Sequence, residues 1–193
     1  MDETDSRGVK ALMKAKRDLL VVDGYNVIYK SRRYTKLIDK GSSSGRVSDP
    51  HIRARELLVG DVAAYAQGRF DPIVVFDGAG NVNEGRSVLR MAGVPLIFSK
   101  TNQTADTVIE KLVTEAREQG RKVTVVTSDN TIRATVGAGG VTRVSADMFA
   151  SNIKYEEKQT KVEAEERCYA KLTLADRLSA EDREKINRML GRS

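Results

Sequence analysis

The chain has 193 residues, with 33 Lys and Arg against 27 Asp and Glu for a net charge of +6, and 40% of its residues are hydrophobic. That length carries one domain of ordinary size with a short appendage, and the composition excludes disorder as the main state. One cysteine, Cys168, and one histidine, His51, exclude an internal disulfide and a Cys/His metal site. No apolar run reaches the ~20 residues that a bilayer span needs. The polar stretch Met1 to Asp18 lacks the apolar core of a signal peptide, so no membrane association is expected and the expected compartment is the cytoplasm.

The first element in the chain is the apolar run Leu19 to Val22, a strand rich in Val and Leu. Nearly all the excess positive charge follows it, because residues 30–69 hold nine Lys and Arg against four Asp and Glu. Within that segment Arg32, Arg33, Lys36, Lys40 and Arg46 are candidates for gripping a polyanion such as nucleic acid, and a solvated face is the competing reading. The Gly/Ser-rich stretch Gly41 to Gly45 is expected to be a mobile loop. Ser48 and Asp49 before Pro50 start a helix that runs to Gly68, with Ile52, Leu57, Val59, Val62, Ala63 and Ala66 on its apolar face.

Strands are expected next at Ile73 to Phe76 and Val94 to Phe98. Thr104 then opens a helix whose Ala105, Val108, Ile109, Leu112, Val113 and Ala116 recur at helical spacing until Gly120 stops it. A strand at Val123 to Val126 is followed by a short helix from Ser128 through Val136, and a last strand runs from Val141 to Val144. Beyond Ala146 the chain is helical and highly charged, ending in a helix capped by Ser179 whose Ile186, Met189 and Leu190 form a stripe expected to dock on the parent domain. Strands with continuous rather than alternating apolarity are buried on both faces, which predicts a three-layer α/β/α fold around a mostly parallel sheet.

Four aspartates fall at one edge of that sheet. Asp23 ends the first strand in LLVVDGYN, Asp77 ends the second in IVVFDGAG, Asp129 follows the fourth in VTVVTSDN, and Asp106 lies in the first turn of the helix beginning TADT. Ligands of parallel sheets bind in the crevice at the carboxyl ends of the strands. Carboxylates crowded there need protons, arginines or a metal to hold them together. Oxygen-only ligands favour Mg²⁺ or Mn²⁺, and a cation of that kind suits phosphodiester hydrolysis. Asn26, Thr104, Ser128 and Asn130 stand nearby as groups that orient the carboxylates or a water. Helix capping by Asp106 and Asp129, and turn formation by Asp-Gly at residues 23–24 and 77–78, are the structural alternatives.

Other chemistries find no support. DGAGNVNEG does not match a dinucleotide fingerprint, no segment matches a P-loop, and Tyr25 stands where an aspartyl phosphatase needs a second aspartate. His51 has no serine motif around it. Cys168 reads as a small buried residue rather than a nucleophile.

Taken together and in order, VVDGYNVI, VVFDGAG, QTADTVIEKLV and VVTSDN resemble the YacP-like branch of NYN-domain proteins, relatives of the PIN-domain nucleases. The resemblance covers Leu19 to Phe149, which leaves residues 1–18 as an N-terminal extension and 150–193 as a charged helical tail. It implies a PIN-like fold and a metal-dependent endoribonuclease whose acidic residues are Asp23, Asp77, Asp106 and Asp129, with Mg²⁺ or Mn²⁺ as cofactor. It also implies RNA as partner, including messenger RNA on the ribosome, since a branch of the family cuts messages in the ribosomal A site. The Gly/Ser-rich insertion and the N-terminal extension are longer than the family pattern. An RNA- or ribosome-binding module without turnover, and a flap-type nuclease acting on DNA, are the alternatives. The oligomeric state is left open by the sequence.

Overall fold

Strand β1 (Asp18–Asp23) sets the frame of the molecule, because Leu19, Leu20, Val21 and Val22 are all fully buried and the strand is covered on both faces. The computed structural model describes residues 17–41, 49–78, 88–100, 103–129, 140–177 and 179–191. Six strands form one sheet in the order β3-β4-β2-β1-β5-β6, where β2 is Phe70–Phe76, β3 Val88–Met91, β4 Val94–Phe98, β5 Val123–Val126 and β6 Val141–Val144. All neighbours pair in parallel except β3, which returns antiparallel on β4. In the β3–β4 turn Ala92 and Gly93 both have positive φ, at 49° and 80°, the backbone sense of a tight two-residue hairpin.

Side chains alternate across a strand, so the odd and even positions of β1 feed different cores. Leu19 and Val21, with Ile73, Val75, Val123 and Val125, pack against the helix α4 (Ala105–Glu118) through its Ile109, Leu112, Val113 and Ala116. Leu20 and Val22, with Val74, Phe76 and Val126, pack on the opposite layer. That layer holds α1 (Gly24–Lys30), α2 (Arg32–Gly41), α3 (Pro50–Ala66) and the start of α5 (Ala146–Arg177). The fold is therefore the expected three-layer α/β/α arrangement on a mostly parallel sheet.

The two helices α1 and α2 and the strand β3 add to the elements expected from sequence. In α3 the buried residues are Ala54, Leu58, Val59, Asp61, Val62 and Ala66, whereas Ile52 is 40% exposed and Leu57 only partly covered. Ile52 and Ala54 are about 200° apart around a helix of 3.6 residues per turn, so the first apolar residue of the segment faces away from the core. Asp49 caps α3 by accepting from the His51 amide at 2.9 Å. The Gly/Ser-rich loop beyond Gly41, and the helix expected through Val136, lie outside the described residues.

The chain divides into two compact units, Met1–Ile153 and Lys154–Ser193. The second contains the rest of α5 and α6 (Ala180–Met189), with Ser179 as the cap, accepting from the Asp182 amide. In the stripe expected from sequence, Ile186 is 40% exposed, Met189 87% and Leu190 64%. Among the described residues no helix is long and apolar enough to cross a membrane.

Candidate active site at the carboxyl edge of the sheet

Because β1, β2, β4, β5 and β6 are parallel, their carboxyl ends share one edge, with Val22 level with Val74 on one side and Val126 on the other. Chain order also reverses about β1, whose two neighbours β2 and β5 come from distant parts of the sequence, and this makes its carboxyl end the crevice position of an open α/β sheet. Period-two alternation then decides which way the aspartates lie. Asp23 continues the series Leu19, Val21, and Asp77 continues Ile73, Val75, so both follow the face covered by α4. Asp106, in the first turn of α4, is brought to them by that same layer.

Asp23 is the centre of the arrangement and is only 6% exposed. One of its carboxylate oxygens accepts from the Asn26 amide at 3.3 Å, which makes Asp23 the N-cap of α1, and the other accepts from the Thr127 hydroxyl at 3.2 Å. Burial pushes its pKa up from 3.8 to about 6 against the lowering effect of those two hydrogen bonds, and the charges of Asp106 and Asp129 push it the same way. Burial also raises Asp106, followed by the charges of Asp129, Glu110 and Asp77. Asp23 thus feels Asp106 and Asp129, and Asp106 feels Asp129, Asp77 and Glu110, one helical turn after it.

Polar residues that the motifs do not single out hold these carboxylates in place. Thr127, fully buried, donates to Asp23 and accepts from the Asp129 amide at 3.1 Å. Ser99, 4% exposed, donates to Asp77 Oδ1 at 2.9 Å and accepts from the Gly78 amide. Each is the first polar residue after an apolar strand, a signal present in VVTSDN and LIFSK. Asn26 accepts from the Ser128 amide at 2.8 Å, and the Ser128 hydroxyl accepts from the Ala146 amide at 3.0 Å, so the β5 exit is tied to α1 and to α5. Thr104 caps α4 and meets the Thr107 hydroxyl at 3.0 Å. Asn130 lies outside the described residues.

The glycines after Asp23 and Asp77 are explained by close approach rather than by a turn. A Cβ on Gly24 would stand 2.3 Å from the Phe76 ring, and one on Gly78 would stand 2.1 Å from the Ser99 carbonyl oxygen.

Of the basic candidates, Arg32 and Lys36 are exposed on α2. Arg33 has a different role: its guanidinium grips Asp61 through two bonds of 2.6 and 2.8 Å, and the buried Tyr34 hydroxyl donates to the same carboxylate at 2.8 Å. The expectation that Arg33 contacts RNA is corrected accordingly, because its charge is committed to a carboxylate that α3 carries inward. Arg46 and the side chain of Lys40 lie outside the described residues.

A YacP-like NYN domain model matches residues 20–191, nearly the whole chain. The chain belongs to the YacP-like NYN family. It is 29% identical over 142 residues to the uncharacterized protein YacP of Bacillus subtilis (strain 168), an alignment spanning 74% of this chain and 78% of that protein. Among solved structures it is similar to Rae1 (YacP) of Bacillus subtilis, with a TM-score of 0.57, 27% identity and coverage of 89% of this chain and 95% of that one. A leucine-for-tryptophan mutant of the same protein gives a TM-score of 0.61 at 28% identity, covering 79% of this chain and 84% of the other. The YacP-like chain therefore has a NYN, nuclease-like domain, and its acidic edge sits where an open α/β sheet binds ligands.

Among the described residues no three carboxylates stand close enough to hold one ion in common. The donor set nonetheless fits a hard divalent cation: all its charged groups are carboxylates, and beside burial, which raises Asp23 most, the charges of Asp106 and Asp129 that a cation would neutralise also raise it.

Proposed function

We propose that this YacP-like chain is a metal-dependent endoribonuclease that hydrolyses internal phosphodiester bonds of RNA, with messenger RNA on the ribosome as its target. The observation that carries the reading is the repulsion among aspartates of separate segments at the carboxyl edge of the sheet, the charges of Asp106 and Asp129 acting on Asp23 and those of Asp129 and Asp77 on Asp106. Asp23 also caps α1 and Asp106 lies in the first turn of α4, but helix ends give no reason for carboxylates of separate segments to act on one another. Carboxylates of this set would hold Mg²⁺ or Mn²⁺, which when bound would supply an activated water and neutralise charge developing on the phosphodiester.

The remaining work belongs to the chain's own groups. Thr127 holds the carboxylate of Asp23 and, through the same oxygen, the amide of Asp129, so the backbone at Asp129 is tied to Asp23. Ser99 fixes Asp77 against the end of β4. Exposed Arg32 and Lys36 follow on the segment that leaves the acidic edge, where they contribute sequence-independent attraction for the phosphate backbone. The ribosomal target is supported by the family likeness.

The test is a cleavage assay on a naked single-stranded RNA, a defined message on purified ribosomes and a branched DNA, each with Mg²⁺, Mn²⁺ or EDTA. Internal cuts in RNA that need the metal and vanish in Asp106→Asn are expected. Association with RNA or ribosomes without any cut would make the chain a binding module, and preferential cutting of branched DNA would make it a flap-type nuclease.

A further inference from the structure

Beside the acidic edge an aromatic series climbs from the core to the surface. Phe98 stacks on Phe76 at 5.6 Å, Phe76 meets Tyr25 edge-on at 5.2 Å, Tyr25 stacks on Tyr29 at 6.0 Å, and Tyr29 meets His51 edge-on at 6.3 Å. The inner pair is buried, Tyr25 is half-buried, and Tyr29 is 54% exposed. Phe76 immediately precedes Asp77, Tyr25 follows Asp23 by two residues and feels the Asp77 charge, so the series starts at the same strand ends as the carboxylates, on the sheet layer opposite α4.

Tyr25 and Tyr29 stand one above the other because they are four residues apart on α1. The outer ring is held from behind by Tyr25 and from the side by His51, with more than half of its surface turned to solvent. A ring held in that way presents a flat apolar face at little further cost in side-chain freedom. Six residues of helical rise put Tyr29 about 9 Å along α1 from Asp23, the reach of a nucleotide neighbouring one at the carboxylates. Lys30 and Arg32, both exposed, follow directly and supply positive charge beside the ring.

From this juxtaposition we infer that Tyr29, flanked by His51, is a stacking platform for a nucleobase of single-stranded RNA threaded past the acidic edge. An unpaired base offers a π-face to an aromatic side chain, whereas bases within a duplex are already stacked on one another. The platform fixes the strand's position by its bases while Asp23 and its neighbours address the phosphodiester. Such stacking tolerates any base, so it positions the strand without selecting a sequence. The inference rests on the ribonuclease reading and adds the surface that seats the substrate.

The chain contains no tryptophan, so Tyr29→Trp introduces a single reporter at the platform. A short oligoadenylate in EDTA, which prevents metal-dependent cutting, serves as the probe, and binding is followed by tryptophan emission for this variant and by anisotropy of a labelled oligonucleotide for the others. Emission of Tyr29→Trp should be quenched in a saturable way. Tyr29→Ala should bind roughly 5- to 150-fold more weakly, the range that one base-aromatic stack represents. Tyr29→Phe should bind like the parent, and the salt dependence of all three should be the same because no charge is removed. Equal binding by Tyr29→Ala and the parent, or unquenched emission at saturating oligonucleotide, overturns the platform while leaving the nuclease reading intact. A parent chain that fails to bind the oligonucleotide overturns the platform together with the RNA reading.

Discussion

With its carboxyl 6% exposed and two further carboxylates nearby, Asp23 keeps its proton up to about pH 6, whereas an unfolded aspartate releases it near 3.8. Between those values the native state binds more protons than the unfolded one, so stability falls as pH rises through the window and stays lower above it. A pKa raised from 3.8 to about 6 costs about 3 kcal/mol at neutral pH, reduced by whatever a bound cation returns. Asp23→Asn removes the charge and keeps an oxygen for the Asn26 amide. Without metal its melting temperature at pH 8 should equal or exceed the parent's, and the advantage should vanish at pH 4. A lower value at both pH values would show that the carboxylate matters mainly as a helix cap. Arg33 and Arg32, adjacent in sequence, should behave oppositely. Arg33→Ala leaves Asp61 buried and without its bidentate partner, at a cost of about 3–5 kcal/mol. Arg32→Glu combined with Lys36→Glu should change stability by less than about 0.5 kcal/mol. It should also weaken RNA binding and flatten its salt dependence by roughly 0.7 for each phosphate that is no longer neutralised. Thermal melts and salt titrations of the two variants separate structural from substrate-facing charge, and an unchanged salt slope for the pair would reduce it to a solvated face.

At the scale of elements, α4 and five of the six strands were legible because each is a short segment rich in Val, Ile or Leu, or a long period of 3.6 bounded by a cap and a glycine. The helices α1 and α2 were not. GYNVIYK has seven residues, fewer than two full turns, and its two adjacent apolar residues Val27 and Ile28 are too few to show a helical period. Strand β3 escaped for a related reason, since SVLRM has only two aliphatic residues before its methionine and its partner is fixed by the Ala92-Gly93 turn. The aspartates were legible through their places at strand ends. That Asp23 and Asp77 lie toward α4 needed the parity of the strands within a known sheet, and the close approach at Gly24 and Gly78 needed coordinates. Helix α6 was expected to pack on the parent domain, and its Ile186, Met189 and Leu190 are exposed. Removing residues from Ser179 onward should leave the melting temperature within about 1–2 °C of the parent, because surface changes of this kind stay within about 0.5 kcal/mol. A drop of several degrees in differential scanning calorimetry would support the docking role expected from sequence.

Over the whole molecule, the strand order places β1 between β2, which follows it within the first 76 residues, and β5, which begins only at Val123. The two flanks of Asp23 are consequently completed at very different points in the chain, and Thr127, which bonds its second oxygen, lies 104 residues away. A fragment ending at Lys122 should therefore lack both the cooperative unfolding transition and any metal-dependent cleavage, and supplying Val123–Ser193 as a separate chain should restore neither unless β5 inserts beside β1. Circular dichroism melts and the RNA assay on the fragment check this, and a folded, cutting fragment would contradict it. The same order of assembly has a consequence for synthesis. Until β5 has left the ribosome and found β1, the growing chain carries Asp23, Asp77 and Asp106 without the strand that aligns them, so on the proposed reading any cutting activity waits until most of the chain has been made.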